Sequence, residues 1–137
     1  MKSFFDMKVE ETPAYSFVVP AYNEEKHLGA TLQSLSECMI QEIGGMGEVV
    51  VVDNNSSDRT SEVAIKWGAR VVFEEVNQIS RARNKGASEA RGKYLFFVDA
   101  DTLVPKKLFL NAYAFMNERR GGGKSYSAGK EQRRRHS

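Results

Sequence analysis

Four short apolar runs, each closed by a polar or turn-forming cluster, alternate with segments whose apolar residues recur every three or four positions. Tyr15-Ser16-Phe17-Val18-Val19 reads as a buried strand that stops at Pro20. Asn23-Glu24-Glu25 then opens a helix with acids in its first turn. Leu28, Leu32, Leu35 and Met39 give that helix one apolar stripe. After Gly44-Gly45-Met46-Gly47, the β-branched run Glu48-Val49-Val50-Val51-Val52 predicts a second strand covered on both faces. Asp53 to Asp58 is a turn leading to a helix cap. The short helix that follows has Val63, Ala64 and Trp67 inward and Gly68 as its stop. Arg70-Val71-Val72-Phe73 is a third strand, Ser80 to Ala90 a polar helix, and Tyr94 to Val98 a fourth strand. Pro105 suits the first turn of a last helix that runs to about Arg119.

This alternation implies an α/β fold with a mostly parallel sheet and right-handed crossovers. In such sheets ligands bind beyond the carboxyl ends of the strands, near the reversal of strand order. Pro20-Ala21-Tyr22-Asn23-Glu24, Asp53-Asn54-Asn55-Ser56 and Asp99-Ala100-Asp101 all fall at such ends. Three clusters distant in sequence are therefore expected to line one crevice.

Length and composition sharpen this picture. A chain of 137 residues with 41% apolar and 28% charged residues fits one domain, expected over residues 14–120 after an N-terminal extension of residues 1–13. The single cysteine, Cys38, excludes an internal disulfide and fits a reducing, cytoplasmic setting; its helical context marks a buried structural thiol. Residues 121–137 carry five Lys/Arg and one Glu, leaving 15 basic and 17 acidic residues in the first 120. The basic character belongs to this aperiodic tail, which is expected to be disordered, and argues against nucleic acid as a partner. No apolar stretch approaches the roughly 20 residues that span a bilayer.

The carboxylates of Asp99 and Asp101 suit a divalent cation, Mn2+ or Mg2+, that bridges to a diphosphate; the alternative is a solvated turn. No Gly-x-Gly-x-x-Gly, P-loop or Gly-x-Ser-x-Gly pattern is present, so anion binding falls to metal and cations. Among Arg81, Arg83 and Lys85 at the start of the third helix, Arg83 is best placed to reach the crevice. Asp53 can accept from an imide N–H such as that of uracil, or cap its own turn. Tyr22 can stack on a base, or pack on its own loop.

Phe17 to Glu25, Val52 to Thr60, Ala82-Arg83-Asn84-Lys85-Gly86 and Phe97-Val98-Asp99-Ala100-Asp101 together resemble family 2 glycosyltransferases. The resemblance covers about residues 14–119. It implies a Rossmann-like GT-A sheet, here truncated, a nucleotide-diphosphate-sugar donor that is usually a UDP-sugar, a divalent metal, and inversion at the anomeric carbon. It sets Pro20, Ala21, Tyr22 and Glu24 along the nucleoside and Asp53 on the base, with Asn55 in the same cluster. Arg83 falls near the nucleotide, Asp99 with Ala100 at the ribose or sugar, and Asp101 on the metal. Asn54-Asn55 stands where the family often has Asp-Gly, and Asn tolerates the left-handed turn.

Family members continue well past Asp-x-Asp into the half that supplies the acceptor site and the base, so no catalytic residue is assigned. The chain is expected to be a donor-binding half, truncated or frame-shifted after the triple glycine, with the outer edge of the fourth strand bare and open to a second copy. The acceptor class is open among saccharide, lipid and protein, and peripheral membrane association is compatible with it. The alternatives are a non-catalytic nucleotide-sugar-binding module and an inactive fragment; a nucleotidyltransferase would want a Gly-rich basic loop after the first strand.

Overall fold

The runs richest in β-branched and aromatic residues build the centre of the molecule. The computed structural model describes residues 12–40, 43–118 and 125–128. In it β1 (Tyr15–Ala21), β2 (Gly47–Asp53), β3 (Arg70–Phe73), β4 (Tyr94–Val98) and β5 (Ser125–Ala128) form one sheet in the order β3-β2-β1-β4-β5. Every pairing is parallel. Four helices connect or follow these strands: α1 (Leu28–Met39), α2 (Thr60–Lys66), α3 (Ile79–Glu89) and α4 (Lys106–Glu118).

Side chains alternate across a strand, so β1 feeds two layers. Tyr15, Phe17, Val19 and Ala21 join Leu28, Leu32 and Leu35 of α1, Ala64 of α2 and Phe109, Ala112 and Met116 of α4 in the main core. Val18 faces the other way and meets Val52 and Ala82, with α3 covering that side. All seven residues of β1 are buried, as expected for a central strand clad on both faces. An aromatic cluster ties α4 down: Phe109 lies 5.0 Å from Tyr15, 5.2 Å from Phe17 and 5.5 Å from Phe96 between ring centroids. On the opposite face α3 approaches closely because Gly86 has no side chain. A Cβ there would lie 2.3 Å from a Val18 methyl and 2.9 Å from one of Val52.

Several expectations are corrected. Strand β1 continues through Pro20 to Ala21. Asn54 N–H donates to Ala21 O, so Ala21 faces β2 and Pro20 faces the β4 side, where pairing has already ended at Val18. The missing N–H of Pro20 therefore breaks no ladder. Helix α1 begins at Leu28, not Asn23. Asn23 has φ 51° and belongs to a left-handed turn, and its side-chain oxygen accepts from Ser57 N–H instead of opening the helix. Trp67 is 42% exposed rather than inward: α2 ends at Lys66, and Gly68, at φ 80°, turns the chain away.

The largest correction concerns the tail. Ser125–Ala128, expected to be disordered, form β5 and pair with Leu95–Val98. The outer edge of β4 is thus covered rather than bare, and the edge strands of the described sheet are β3 and β5. The segment has no apolar run to announce it; alternation alone puts Tyr126 against the core and buries Ala128. The remaining residues of 121–137, the extension 1–11 and Arg119 lie outside the described residues.

At the amino end of the sheet the Glu48 carboxylate gathers Ser16 Oγ–H at 2.6 Å, Arg91 N–H at 2.6 Å and Arg70 Nη2 at 3.1 Å. Ser16 Oγ in turn accepts from Gly92 N–H at 2.8 Å. Burial opposes the charge on Glu48, but these hydrogen bonds and the Arg70 guanidinium outweigh it and hold the carboxyl below its usual value of 4.5. A depressed folded-state pKa stabilises the fold above the unfolded value and stops doing so as pH falls through the folded value. Stability against urea of the wild-type chain should therefore fall below about pH 4.5 more steeply than that of Glu48→Gln. The variant should cost about 1–3 kcal/mol at pH 7.

Candidate functional site

Strand order reverses between β1 and β4, and the chain leaves these two strands on diverging paths. The crevice that results is a cavity of about 610 Å³ lined by Pro20, Tyr22, Glu24, Ile79, Ser80, Arg83, Asn84, Asp99, Ala100 and Asp101. The β1 loop, the start of α3 and the turn after β4 thus meet as expected. Among the candidate residues, Ala21, Asp53 and Asn55 lie outside this wall.

Each wall element is held by named bonds. The β1 loop is zipped to the β2–α2 turn: Asn23 N–H donates to Ser56 Oγ at 2.9 Å, Glu24 N–H to Thr60 Oγ1 at 2.9 Å and Glu25 N–H to Asp58 Oδ2 at 3.2 Å. Burial opposes the Asp58 charge, yet hydrogen bonds from the Thr60 hydroxyl and the Glu25 and Thr60 N–H groups hold its carboxyl below the usual range. Asp53 serves its own turn: one carboxylate oxygen accepts from Ser56 N–H at 2.9 Å and the other from Ser61 Oγ–H. This is the turn-capping alternative that the sequence left open. Asn55 takes φ 62°, the left-handed conformation expected where Gly is common. Tyr22, 48% exposed, stands at the rim.

The asparagine pair has a task the sequence did not disclose. Buried Asn54 donates from its amide nitrogen to Glu74 O at 3.0 Å and Val76 O at 2.7 Å. Asn55 donates to Glu75 O at 3.3 Å. Together they tether the connection that leads into α3, whose first turn supplies Ile79 and Ser80 to the cavity. Ile79 with Arg83, and Ser80 with Asn84, are each one helical turn apart on the same face; that spacing was the available signal for the three wall residues not selected from sequence. Arg81 and Lys85 of the same helix are not in the wall.

The Asp99-Ala100-Asp101 turn is pinned from below by α1. Buried Thr31 donates to Ala100 O at 2.8 Å, Val104 N–H donates to Ser34 Oγ at 3.0 Å, and Cys38 Sγ–H donates to Val104 O at 3.5 Å. These residues form a second stripe on α1 beside the leucines. Burial, reinforced by Glu37, pushes the Cys38 thiol up to about 11, so it is an inert structural group at neutral pH. From the other side Asp99 N–H donates to Ala128 O at 3.4 Å. Among the described residues no group of three or more His, Cys, Asp and Glu side chains is placed to hold a metal unaided. No described helix is long and apolar enough to cross a membrane.

The fold is an open parallel α/β sheet with its crevice at the reversal of strand order, lined by two carboxylates and an arginine. The chain belongs to glycosyl transferase family 2, whose sequence model matches residues 16–136. It is similar to the poly(ribitol-phosphate) beta-N-acetylglucosaminyltransferase TarS of Staphylococcus aureus strain Mu50, 32% identical over 111 residues, 76% of this chain and 19% of TarS. It is also similar to the dolichyl-phosphate beta-glucosyltransferase of Mus musculus, 35% identical over 102 residues, 66% of this chain and 32% of that enzyme. In solved structures it resembles S. aureus TarS 1–349 in complex with UDP, with TM-score 0.67, 32% identity and coverage of 77% of this chain and 32% of that one. The mannosyltransferase PcManGT from Pyrobaculum calidifontis in complex with GDP-Man and Mn2+ matches with TM-score 0.69, 26% identity and coverage of 80% and 34%. The chain thus spans between 19% and 34% of the length of these relatives, and its sheet is the expected GT-A type.

The support under the Asp-x-Asp turn can be removed without changing shape. Thr31→Val should lower stability by about 1–3 kcal/mol by leaving Ala100 O without its buried partner. Hydrogen exchange should quicken at residues 99–104 while β2 is unaffected.

Proposed function

We propose that the chain binds the nucleotide-diphosphate part of a sugar donor, a UDP-sugar, in the cavity between the β1 and β4 ends. The observation that carries this reading is the meeting of Asp99, Asp101, Arg83 and Tyr22 in one wall. Tyr22 offers a ring face to the base, with Pro20 and Glu24 along the nucleoside. Arg83 and the start of α3 offer positive charge to the phosphates.

The donor set fits a hard divalent ion of the Mn2+ or Mg2+ kind. Such ions take one or two protein carboxylates and complete their shell with water and substrate phosphate oxygens. Asp99 and Asp101, two residues apart at the end of β4, supply that number. With no larger cluster among the described residues, metal and nucleotide should bind together rather than separately. Bound there, the ion would serve as Lewis acid for a departing diphosphate. The protein's own residues align the donor, and Glu24, Asp99 and Asp101 are the acidic residues of the wall. We assign the protein that carries this domain an inverting transfer of the sugar to a hydroxyl acceptor.

Calorimetry tests this reading. UDP should bind with Mn2+ present and weaken at least about tenfold in EDTA or in Asp101→Asn, a loss of roughly 1.4 kcal/mol or more. Mn2+ without nucleotide should bind far more weakly than Mn2+ with UDP. Equal UDP binding with and without metal, or none at all, would refute the reading.

A further inference from the structure

Helix α3 turns one stripe toward the sheet. Ile79, Ala82 and Gly86 recur at the i, i+3, i+7 spacing of a core-facing helix side. Ala82 and Gly86 are buried, Ala82 against Val18 and Val52. Ile79, on the same stripe, is 64% exposed. Its place in the fold is the reason. α3 follows a parallel strand, so its first turn lies at the carboxyl end of the sheet. There the side chain lines the cavity instead of the core. Tyr22 is the other large apolar side chain of that wall, and it too is exposed, whereas Pro20 and Ala100 are buried. The apolar surface that the wall offers a ligand thus comes chiefly from two residues, one on the β1 loop and one on α3.

We propose that Ile79 is a specificity-determining residue that binds the base of the nucleotide together with Tyr22, and so selects a nucleoside diphosphate over a diphosphate without a nucleoside. The inference deepens the donor reading above and rests on it. Along α3 the wall runs from apolar to cationic: Arg83 follows Ile79 by one turn, about 6 Å along the axis. A nucleoside diphosphate has the same order, a flat base with apolar faces joined through ribose to anionic phosphates. The order of the two side chains therefore sets which end of the ligand lies where. An aliphatic group gains free energy from the area it covers and reads no hydrogen-bond pattern. Ile79 accordingly distinguishes the presence of a base, not one pyrimidine from another.

The test uses the full 137-residue chain with Mn2+ present throughout. Calorimetry compares UDP, CDP and methyl diphosphate on the wild type, Ile79→Ser and Ile79→Leu. Ile79→Ser should weaken UDP and CDP alike by about tenfold. Ile79→Leu, of equal volume, should stay within about twofold of the wild type. Methyl diphosphate, which has no base, should bind all three proteins equally. Because Ile79 is exposed, the thermal midpoint should not move. A second readout is the NOE between the Ile79 δ1 methyl and uracil H5 or H6 in the UDP complex of methyl-labelled protein. UDP binding that is the same in the wild type and Ile79→Ser overturns the proposal and leaves the donor reading in place. So does a UDP complex without that NOE. A loss in Ile79→Ser that methyl diphosphate shares in full also overturns it, since that would mark a displaced start of α3. A wild-type chain that takes no UDP refutes the donor reading, and this inference with it.

Discussion

The constraint on which this molecule turns is the position of β1 at the centre of a parallel sheet, paired to β2 on one side and β4 on the other. A central strand must be covered on both faces, so its helices go to opposite sides: α1, α2 and α4 to one, α3 to the other. The chain goes on from β1 to β2 and from β4 to β5, in opposite directions across the sheet, and the cavity opens where the ends of β1 and β4 meet the start of α3. Had the strands followed one another in simple succession, the same loops would lie in a row with no crevice among them.

Around that gap most of the polar chemistry is spent on holding loops. Asn54 and Asn55 tether the approach to α3, Thr31 and Ser34 fix the Asp-x-Asp turn, and Ser56, Asp58 and Thr60 secure the β1 loop. Each bond joins residues far apart in sequence and near the ends of well-packed elements. A wall made of loops is thereby given the rigidity of the sheet beneath it, which is what a site needs if its groups are to meet a ligand without first being ordered.

The two ends of the sheet have different work. At the amino end Glu48 draws Ser16, Arg70 and Arg91 into a network that welds β1, β2, β3 and the turn before β4. Nothing there opens onto the cavity, and its role is cohesion. At the carboxyl end the acids and the arginine line a cavity of about 610 Å³.

The primary order by itself determined the alternation of strands and helices, because apolar periodicity is a local property. It also fixed the chemistry at the strand ends: the carboxylates of Asp99 and Asp101, the cation of Arg83 and the aromatic of Tyr22 were all recognisable before folding. The left-handed turn at Asn55 was legible for the same reason, since it depends on one residue type. What tertiary structure decided was everything that needs a partner from elsewhere in the chain. Strand β5 has no apolar run and exists through its pairing with β4. Pro20 stays in a strand because its ladder partner has already ended. Asp53 caps its own turn through Ser56 and Ser61, and Ser127 meets Arg83 across 44 residues of sequence. Local pattern selects elements and side-chain types; only long-range pairing determines which of those side chains are already engaged and which remain to face the cavity.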